Sequence, residues 1–156
     1  MKEEGIDNTL LILENRLQAN PNRTAIQVVK DYDDLPLVEC YAGEINQVFM
    51  NLLINAIDAL ESAFVKQSRI EILTQRLDDE TVAIRVRDNG LGIPGELKSR
   101  VFEPFFTTKP VGKGTGLGLS ISYKIVEKHR GTLDYRSQLG KGTEFVVKLP
   151  RSQKKS

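Results

Sequence analysis

One cysteine, Cys40, stands in 156 residues, which excludes an internal disulfide and any cysteine-based zinc site and suits a reducing cytosol. Histidine is equally scarce, with His129 alone. Neither charge sign dominates: 22 Lys and Arg face 21 Asp and Glu. The long-range field of a general nucleic-acid or anionic-membrane binder is therefore missing. Long apolar runs are missing too. The longest, Leu10 to Leu13, falls far short of a bilayer span, and Met1-Lys2-Glu3-Glu4 is too acidic and polar for a signal peptide. What is present is 40% apolar and 28% charged residues, enough to bury a core and stay in solution. The length suits one domain over residues 1–150, followed by a polar basic tail at 151–156 that reads as a frayed end.

Periodicity predicts a first helix over 7–19, with Asp7 or Asn8 as its N-cap, and a long helix over 44–62. A third helix is expected over 117–129, stopped near Gly131. Strands are expected at 24–30, 37–41, 69–77, 81–87, 132–137 and 143–149, with a hairpin at Asp78-Asp79-Glu80. Residues 88–116 are crowded with glycine and proline and read as loop. Helices and strands in this mixed order predict a two-layer α/β sandwich, a sheet covered by helices on one face.

On the long helix, Ile45, Val48, Phe49, Leu52, Ala56, Ala59 and Leu60 form a wide apolar face. Opposite them Glu44, Gln47, Asn51, Asn55, Asp58 and Ser62 fall within a narrow stripe. A solvated face is one reading. Solvated faces normally use good helix formers, whereas Asn costs up to ~0.7 kcal/mol relative to Ala. The other reading is that these oxygens face one hard cation such as Mg²⁺, which takes a few protein oxygens plus phosphates and water.

Asp88-Asn89-Gly90-Leu91-Gly92-Ile93 follows a strand directly. It is either an ordinary Asn-Gly turn or a carboxylate set beside two glycines to accept a hydrogen bond from an exocyclic amino group. Gly112-Lys113-Gly114-Thr115-Gly116-Leu117-Gly118-Leu119 is less ambiguous, because alternating glycines run into an amphipathic helix and their N–H groups converge with Lys113 nearby. That pattern marks an anion site. It matches neither GxxxxGK[ST] nor GxGxxG. Between the two loops, Phe102, Phe105 and Phe106 sit in loop sequence and suggest a lid that buries them on closure or against a partner. Lys109 suits a phosphate or plain solvent equally well.

Together these segments resemble the catalytic ATP-binding domain of sensor histidine kinases, in the GHKL ATPase superfamily, over roughly residues 7–150. Asn51-Leu-Leu-Ile-Asn55-Ala-Ile-Asp58 looks like the N box and Asp88-Asn-Gly-Leu-Gly92 like the G1 box. Phe102-Glu-Pro-Phe-Phe106 looks like the F box, Gly114-Thr-Gly-Leu-Gly118-Leu119 like the G2 box, and Gly142-Thr143-Glu-Phe145 like the final conserved strand. The run FFTTKPVGKGTGLGL is similar to the nitrogen-regulator type. The resemblance implies a mixed five-stranded sheet with three helices on one face, binding ATP and Mg²⁺. By the same resemblance Asn55 coordinates Mg²⁺, with Asn51 and Asp58 nearby, and Asp88 binds the adenine amino group with help from Gly90, Gly92, Ile93 and, through water, Thr143. Lys109, Lys113 and the amides of Gly114, Thr115, Gly116, Leu117, Gly118 and Leu119 hold the phosphates.

Hydrolytic members of the superfamily, and its small serine kinases, carry a glutamate as general base where this chain has Asn51. An amide cannot take a proton, so efficient ATP hydrolysis is not expected. Histidine kinases phosphorylate a histidine on a separate helical-hairpin domain, and this chain has no such histidine box. His129 lies eleven residues past Gly118, about 16 Å along a helix, whereas in-line transfer needs reacting atoms ~3–3.5 Å apart. It reads as a helix C-terminal residue favoured by the macrodipole. The resemblance therefore implies a cytoplasmic, monomeric half-enzyme whose phosphoacceptor domain lies in the same parent chain or in trans, with a response regulator as an indirect partner. The alternative is a stand-alone regulatory module, an anti-sigma-like serine kinase or an adaptor. A hydrolase of the superfamily is a third reading.

Overall fold

The computed structural model describes residues 4–18, 25–34, 38–61, 67–93, 101–102 and 118–152. Within them five strands, β1 (Gln27–Tyr32), β2 (Arg69–Arg76), β3 (Thr81–Asp88), β4 (Thr132–Gln138) and β5 (Gly142–Pro150), form one sheet in the order β1-β2-β3-β5-β4. β1 runs parallel to β2, and the other neighbours are antiparallel. The sheet is mixed because α3 (Ala42–Glu61) lies between β1 and β2 in the chain and supplies the long crossover that a parallel pair needs.

Alternation separates the two faces of this sheet. Ile70 and Ile72 of β2, Val82, Ile84 and Val86 of β3, Leu133 of β4, and Phe145, Val147 and Leu149 of β5 are buried in one core. Against them lie α1 (Glu4–Ile12) and α3, with Ile6, Phe49, Leu53, Ile72, Ile84 and Val86 lining one apolar seam. α3 buries Ile45, Val48, Phe49, Leu52, Leu53, Ala56, Ile57 and Leu60, a broader face than the sequence stripe because helix and sheet enclose it on two sides. The opposite sheet face carries a cross-strand row, Glu71↔Arg87↔Glu144↔Arg136. In this row Arg87 pairs with both Glu71 and Glu144, while Arg85 reaches Glu144 at 3.0 Å. An open antiparallel face wetted on one side carries such alternating charge.

Three sequence expectations need correction. The first helix starts at Glu4 and breaks at Leu13 before a single turn, α2 (Glu14–Leu17). Thr9 Oγ1 bonds back to the Gly5 carbonyl at 2.7 Å, and Arg16 N–H closes a three-residue turn on Leu13 O at 2.9 Å. This bend keeps Leu10 and Leu13 buried while turning Arg16 toward α3. The strand expected at 37–41 is absent at 38–41: Glu39 N–H donates to Arg151 O and Tyr41 N–H to His129 Nε2, so these amides never enter a ladder. β1 also sits later than expected, ending at Tyr32 rather than Lys30. Thr24, Leu37, Ser62, Phe105, Phe106 and the tail from Gln153 lie outside the described residues.

Candidate functional site

The site begins on α3. Asn51 and Asn55 stand one turn apart on this helix and both are half-buried. Asn51 Nδ2 donates to the Gly118 carbonyl and to Ser122 Oγ, each at 3.1 Å. A carbonyl only accepts, so the amide orientation is forced: both N–H bonds go to α4 (Gly118–Lys128), and Oδ1 is left as an acceptor. Asn51 thus ties the middle of α3 to the first turn of α4. The Asn55 side chain makes no hydrogen bond among the described residues.

The rest of the polar stripe divides. Glu44 pairs with Lys128 at 2.8 Å, which joins the start of α3 to the end of α4. Asp58 accepts from Arg16 Nη2 at 2.6 Å, and Glu61 shares the same nitrogen at 3.2 Å. Asp58 is therefore held by α2, an arrangement invisible in helical periodicity because Arg16 is 42 residues away. Gln47 is exposed.

The second half of the site forms where β3 ends. Asp88, nine-tenths buried, lies on the helix-facing side of the sheet directly across from Thr143. Its Oδ1 accepts Gly90 N–H at 2.9 Å, and Thr143 N–H also donates to the carboxylate. Burial pushes the Asp88 carboxyl from 3.8 up to about 6, against the opposing pull of those two N–H groups. No cation among the described residues pairs with it.

The loop after Asp88 is keyed to the β4–β5 turn. Gly92 has φ +84°, and a side chain there would run into the Gln138 carbonyl. Gly142 has φ +125°, and a side chain there would run into the Asp88 carbonyl. Both positions need glycine for backbone sign and for close approach. Gly140 N–H donates to Leu91 O at 2.6 Å, and Ile93 N–H to Ser137 Oγ at 2.6 Å. Gly90 packs against Ala59 of α3, so the loop touches the same helix that carries Asn55.

The structure therefore gathers Asp88, Gly90, Gly92, Ile93 and Thr143 in one group, and Asn51 with Gly118 in a second across α3. Leu119 follows in the first turn of α4. Lys109, Lys113, Gly114, Thr115, Gly116 and Leu117 lie outside the described residues. Phe102, expected in a lid, packs tilted against Tyr123 and edge-on against Tyr135 and Phe145, with centroids 5.2, 5.7 and 6.4 Å away, so one lid aromatic belongs to the core edge. Ser122, Ser137 and Arg16 were not anticipated. Ser137 carried a faint signal, a hydroxyl in a strand six residues before Thr143 across a glycine turn.

His129 is 1% exposed. Its Nδ1–H donates to Ile125 O at 2.8 Å and its Nε2 accepts Tyr41 N–H at 3.0 Å. Both ring nitrogens are engaged in the neutral tautomer, so the residue acts as a buried strut rather than as a charge on the helix end. Tyr41 also packs edge-on against the ring, and Lys128 Nζ lies 4.7 Å from the Tyr41 centroid.

The donor set suits a hard cation that keeps most of its other ligands. No group of three or more His, Cys, Asp and Glu that could hold a metal occurs among the described residues, so an all-protein cage is not built there. Asn55, half-buried and one helical turn from Asn51, fits Mg²⁺ that takes its remaining ligands from phosphate and water. No helix among the described residues is long and apolar enough to cross a membrane.

Comparison with known proteins agrees with this geometry. Residues 41–153 match the family described as histidine kinase-, DNA gyrase B- and HSP90-like ATPase. Sporulation kinase E of Bacillus subtilis (strain 168) is 39% identical over 138 residues, 88% of this chain and 18% of that protein. The signal transduction histidine-protein kinase AtoS of Escherichia coli (strain K12) is 41% identical over 106 residues, 68% of this chain and 16% of that protein. The chain thus spans less than a fifth of either relative. The nucleotide-free catalytic domain of the histidine kinase ThkA superposes with TM-score 0.78 at 33% identity, covering 97% of this chain and 93% of that one. ThkA solved in complex with the response regulator protein TrrA gives TM-score 0.78 at 30% identity, over 99% of this chain and 41% of that one. The mixed sheet with helices on one face is the fold of those catalytic domains, and this chain belongs to the histidine kinase-, DNA gyrase B- and HSP90-like ATPase family.

Proposed function

We propose that this chain binds Mg²⁺-ATP and transfers its γ-phosphoryl group to a histidine on a separate helical-hairpin domain, in the same parent chain or in trans, which in turn serves a response regulator. The isolated chain acts in the cytoplasm as a monomer and is incomplete without that acceptor. The observation that carries the reading is Asp88, a buried carboxylate without a cationic partner among the described residues, whose charge is held for a ligand that donates. An exocyclic amino group on a purine is such a donor.

Each residue has a role in this reading. Asp88 accepts from the adenine amino group, with Thr143 beside it and the Gly90–Ile93 backbone along the base. Asn55 holds Mg²⁺, with Asn51 and Asp58 on the same stripe. Bound there, Mg²⁺ neutralises charge on the phosphate oxygens. Lys109, Lys113 and the amides of Gly114, Thr115, Gly116, Leu117, Gly118 and Leu119 cradle the phosphates, at the helix end that Asn51 anchors. Asn51 cannot remove a proton, so water is not activated, and catalysis consists of positioning and charge stabilisation.

The test is incubation with a phosphoacceptor helical-hairpin domain and γ-labelled ATP. Acid-labile, base-stable label on that domain is the expected result. Label on serine, or rapid phosphate release by the chain alone, refutes the reading. Asn55→Ala should abolish Mg²⁺-dependent nucleotide binding and leave the circular-dichroism spectrum unchanged.

A further inference from the structure

The charge on α3 is the wrong sign for a helix that faces phosphates. It carries three acidic residues, Glu44, Asp58 and Glu61, and no Lys or Arg. Like charges a few ångströms apart repel strongly where water is partly excluded. Cations reach this helix from elsewhere in the chain. Lys128 of α4 meets Glu44 at 2.8 Å, and Arg16 of α2 meets Asp58 at 2.6 Å and Glu61 at 3.2 Å, both through Nη2.

The two bridges differ in place. Glu44 lies two turns before Asn51, at the exposed start of the helix. Asp58 lies three residues beyond Asn55, a spacing that sets Cβ atoms about 5–6 Å apart on one side of a helix. Two contacts bound the stretch of α3 that a nucleotide faces: Gly118 lies against Asn51, and Gly90 against Ala59. Those positions are eight residues apart, about 12 Å along the axis, and Asp58 falls between them. The Asp58 side chain is only 15% exposed, so solvent screens it poorly. Arg16 is held in place by its neighbours. Leu13 is buried at the helix break, and Leu17 packs on the core while its carbonyl accepts Ile26 N–H at 2.8 Å. Arg16 also precedes residues 41–153, the part of the chain that matches the family.

We propose that Arg16 is a positioning residue for polyphosphate binding: it draws the Asp58 carboxylate toward α2 and offsets its charge, so that the middle of the α3 stripe tolerates a highly anionic ligand. This assignment rests on the nucleotide reading above and adds a residue that reading does not use. Without Arg16, the Asp58 charge is turned on the ligand, and the penalty grows with the ligand's own charge. A bridge that merely tied α2 to α3 would affect all nucleotides alike.

The experiment is calorimetric titration of the intact chain with ATP and with AMP, in the presence of Mg²⁺. Arg16→Gln should weaken ATP by roughly tenfold and AMP by roughly twofold, and the gap should narrow as salt is raised. Arg16→Lys, which keeps the charge, should retain most of the ATP affinity. In an Asp58→Asn background, where no carboxylate needs holding, Arg16→Gln should cost ATP less than roughly threefold. Asp58→Asn alone should raise the preference for ATP over AMP, and it carries the test if Arg16→Gln does not fold. Equal weakening of ATP and AMP in Arg16→Gln means a merely structural bridge and overturns the assignment. An ATP loss of the same size in both backgrounds overturns it too, since Arg16 then does not act through Asp58. A wild-type chain that binds neither nucleotide overturns the proposed function as well, whereas wild-type binding with an ATP-over-AMP preference that the substitutions leave unchanged overturns this inference alone.

Discussion

Asp88→Asn separates what the buried carboxylate does for the ligand from what it does to the fold. In the folded chain burial raises this carboxyl from 3.8 to about 6. Between those values the folded state holds a proton that the unfolded chain has released, so stability falls as pH rises through the window. At neutral pH the full cost is present, about 3 kcal/mol. Asparagine removes the charge and keeps an oxygen for Gly90 N–H, but its amide has one acceptor where the carboxylate had two. Leaving one N–H poorly matched returns about 1–2 kcal/mol, so the free variant should be more stable by about 1–2 kcal/mol. For a chain of this size that is a rise in Tm of roughly 2–8 °C at neutral pH, shrinking as pH falls through 6 and lost below 3.8, where the carboxyl is protonated in both folded and unfolded chain. Nucleotide affinity should move the other way. The lost acceptor weakens ATP by about 1–3 kcal/mol, roughly five- to 150-fold. Wild-type affinity should itself decline as pH falls below about 6, where Asp88 becomes protonated. Thermal melts across pH and calorimetry on the same samples supply both readouts. A variant that melts lower at neutral pH, or that binds ATP as tightly as wild type, refutes the argument.

Asn51→Ala removes both hydrogen bonds to α4, at 3.1 Å each, and should cost about 1–2 kcal/mol in urea denaturation while abolishing transfer to the acceptor domain. His129→Phe strands Tyr41 N–H and should destabilise by about 1–3 kcal/mol, yet the folded fraction should still transfer phosphate, since the ring is buried and fully engaged; loss of transfer at full stability counts against a purely structural role. Gly142→Ala combines φ +125° with a collision at the Asp88 carbonyl and should cost about 3 kcal/mol or more, seen as a large fall in the denaturation midpoint.

Elements whose residues are close in the chain and share one periodicity are legible in the sequence. Period 3.6 placed α3 within two residues at its start and one at its end, and period 2 placed β2, β3, β4 and β5 comparably well. Asp88 at a strand end and the asparagines of α3 were visible because each carries a local oddity: a carboxylate beside glycines, and poor helix formers in a helix. The elements misread lacked such isolation. Residues 38–41 have strand-like side chains, but their amides bond to Arg151 O and to the His129 ring, both far along the chain. The break at Leu13 follows from α1 and α2 having to meet α3 together.

The sequence by itself determined the amphipathic faces, the strand alternation and the chemical inventory of the site, because propensity and hydrophobic period act between neighbours. Tertiary structure alone decided which polar groups satisfy one another. Asn51 is turned by Gly118 and Ser122, Asp58 is taken by Arg16, and Ser137 reaches Thr143, Gly142 and Ile93 at once. It also raised the Asp88 carboxyl to about 6. A hydrogen bond and a desolvated charge depend on distances of a few ångströms between segments dozens of residues apart, and only the packed chain sets those distances.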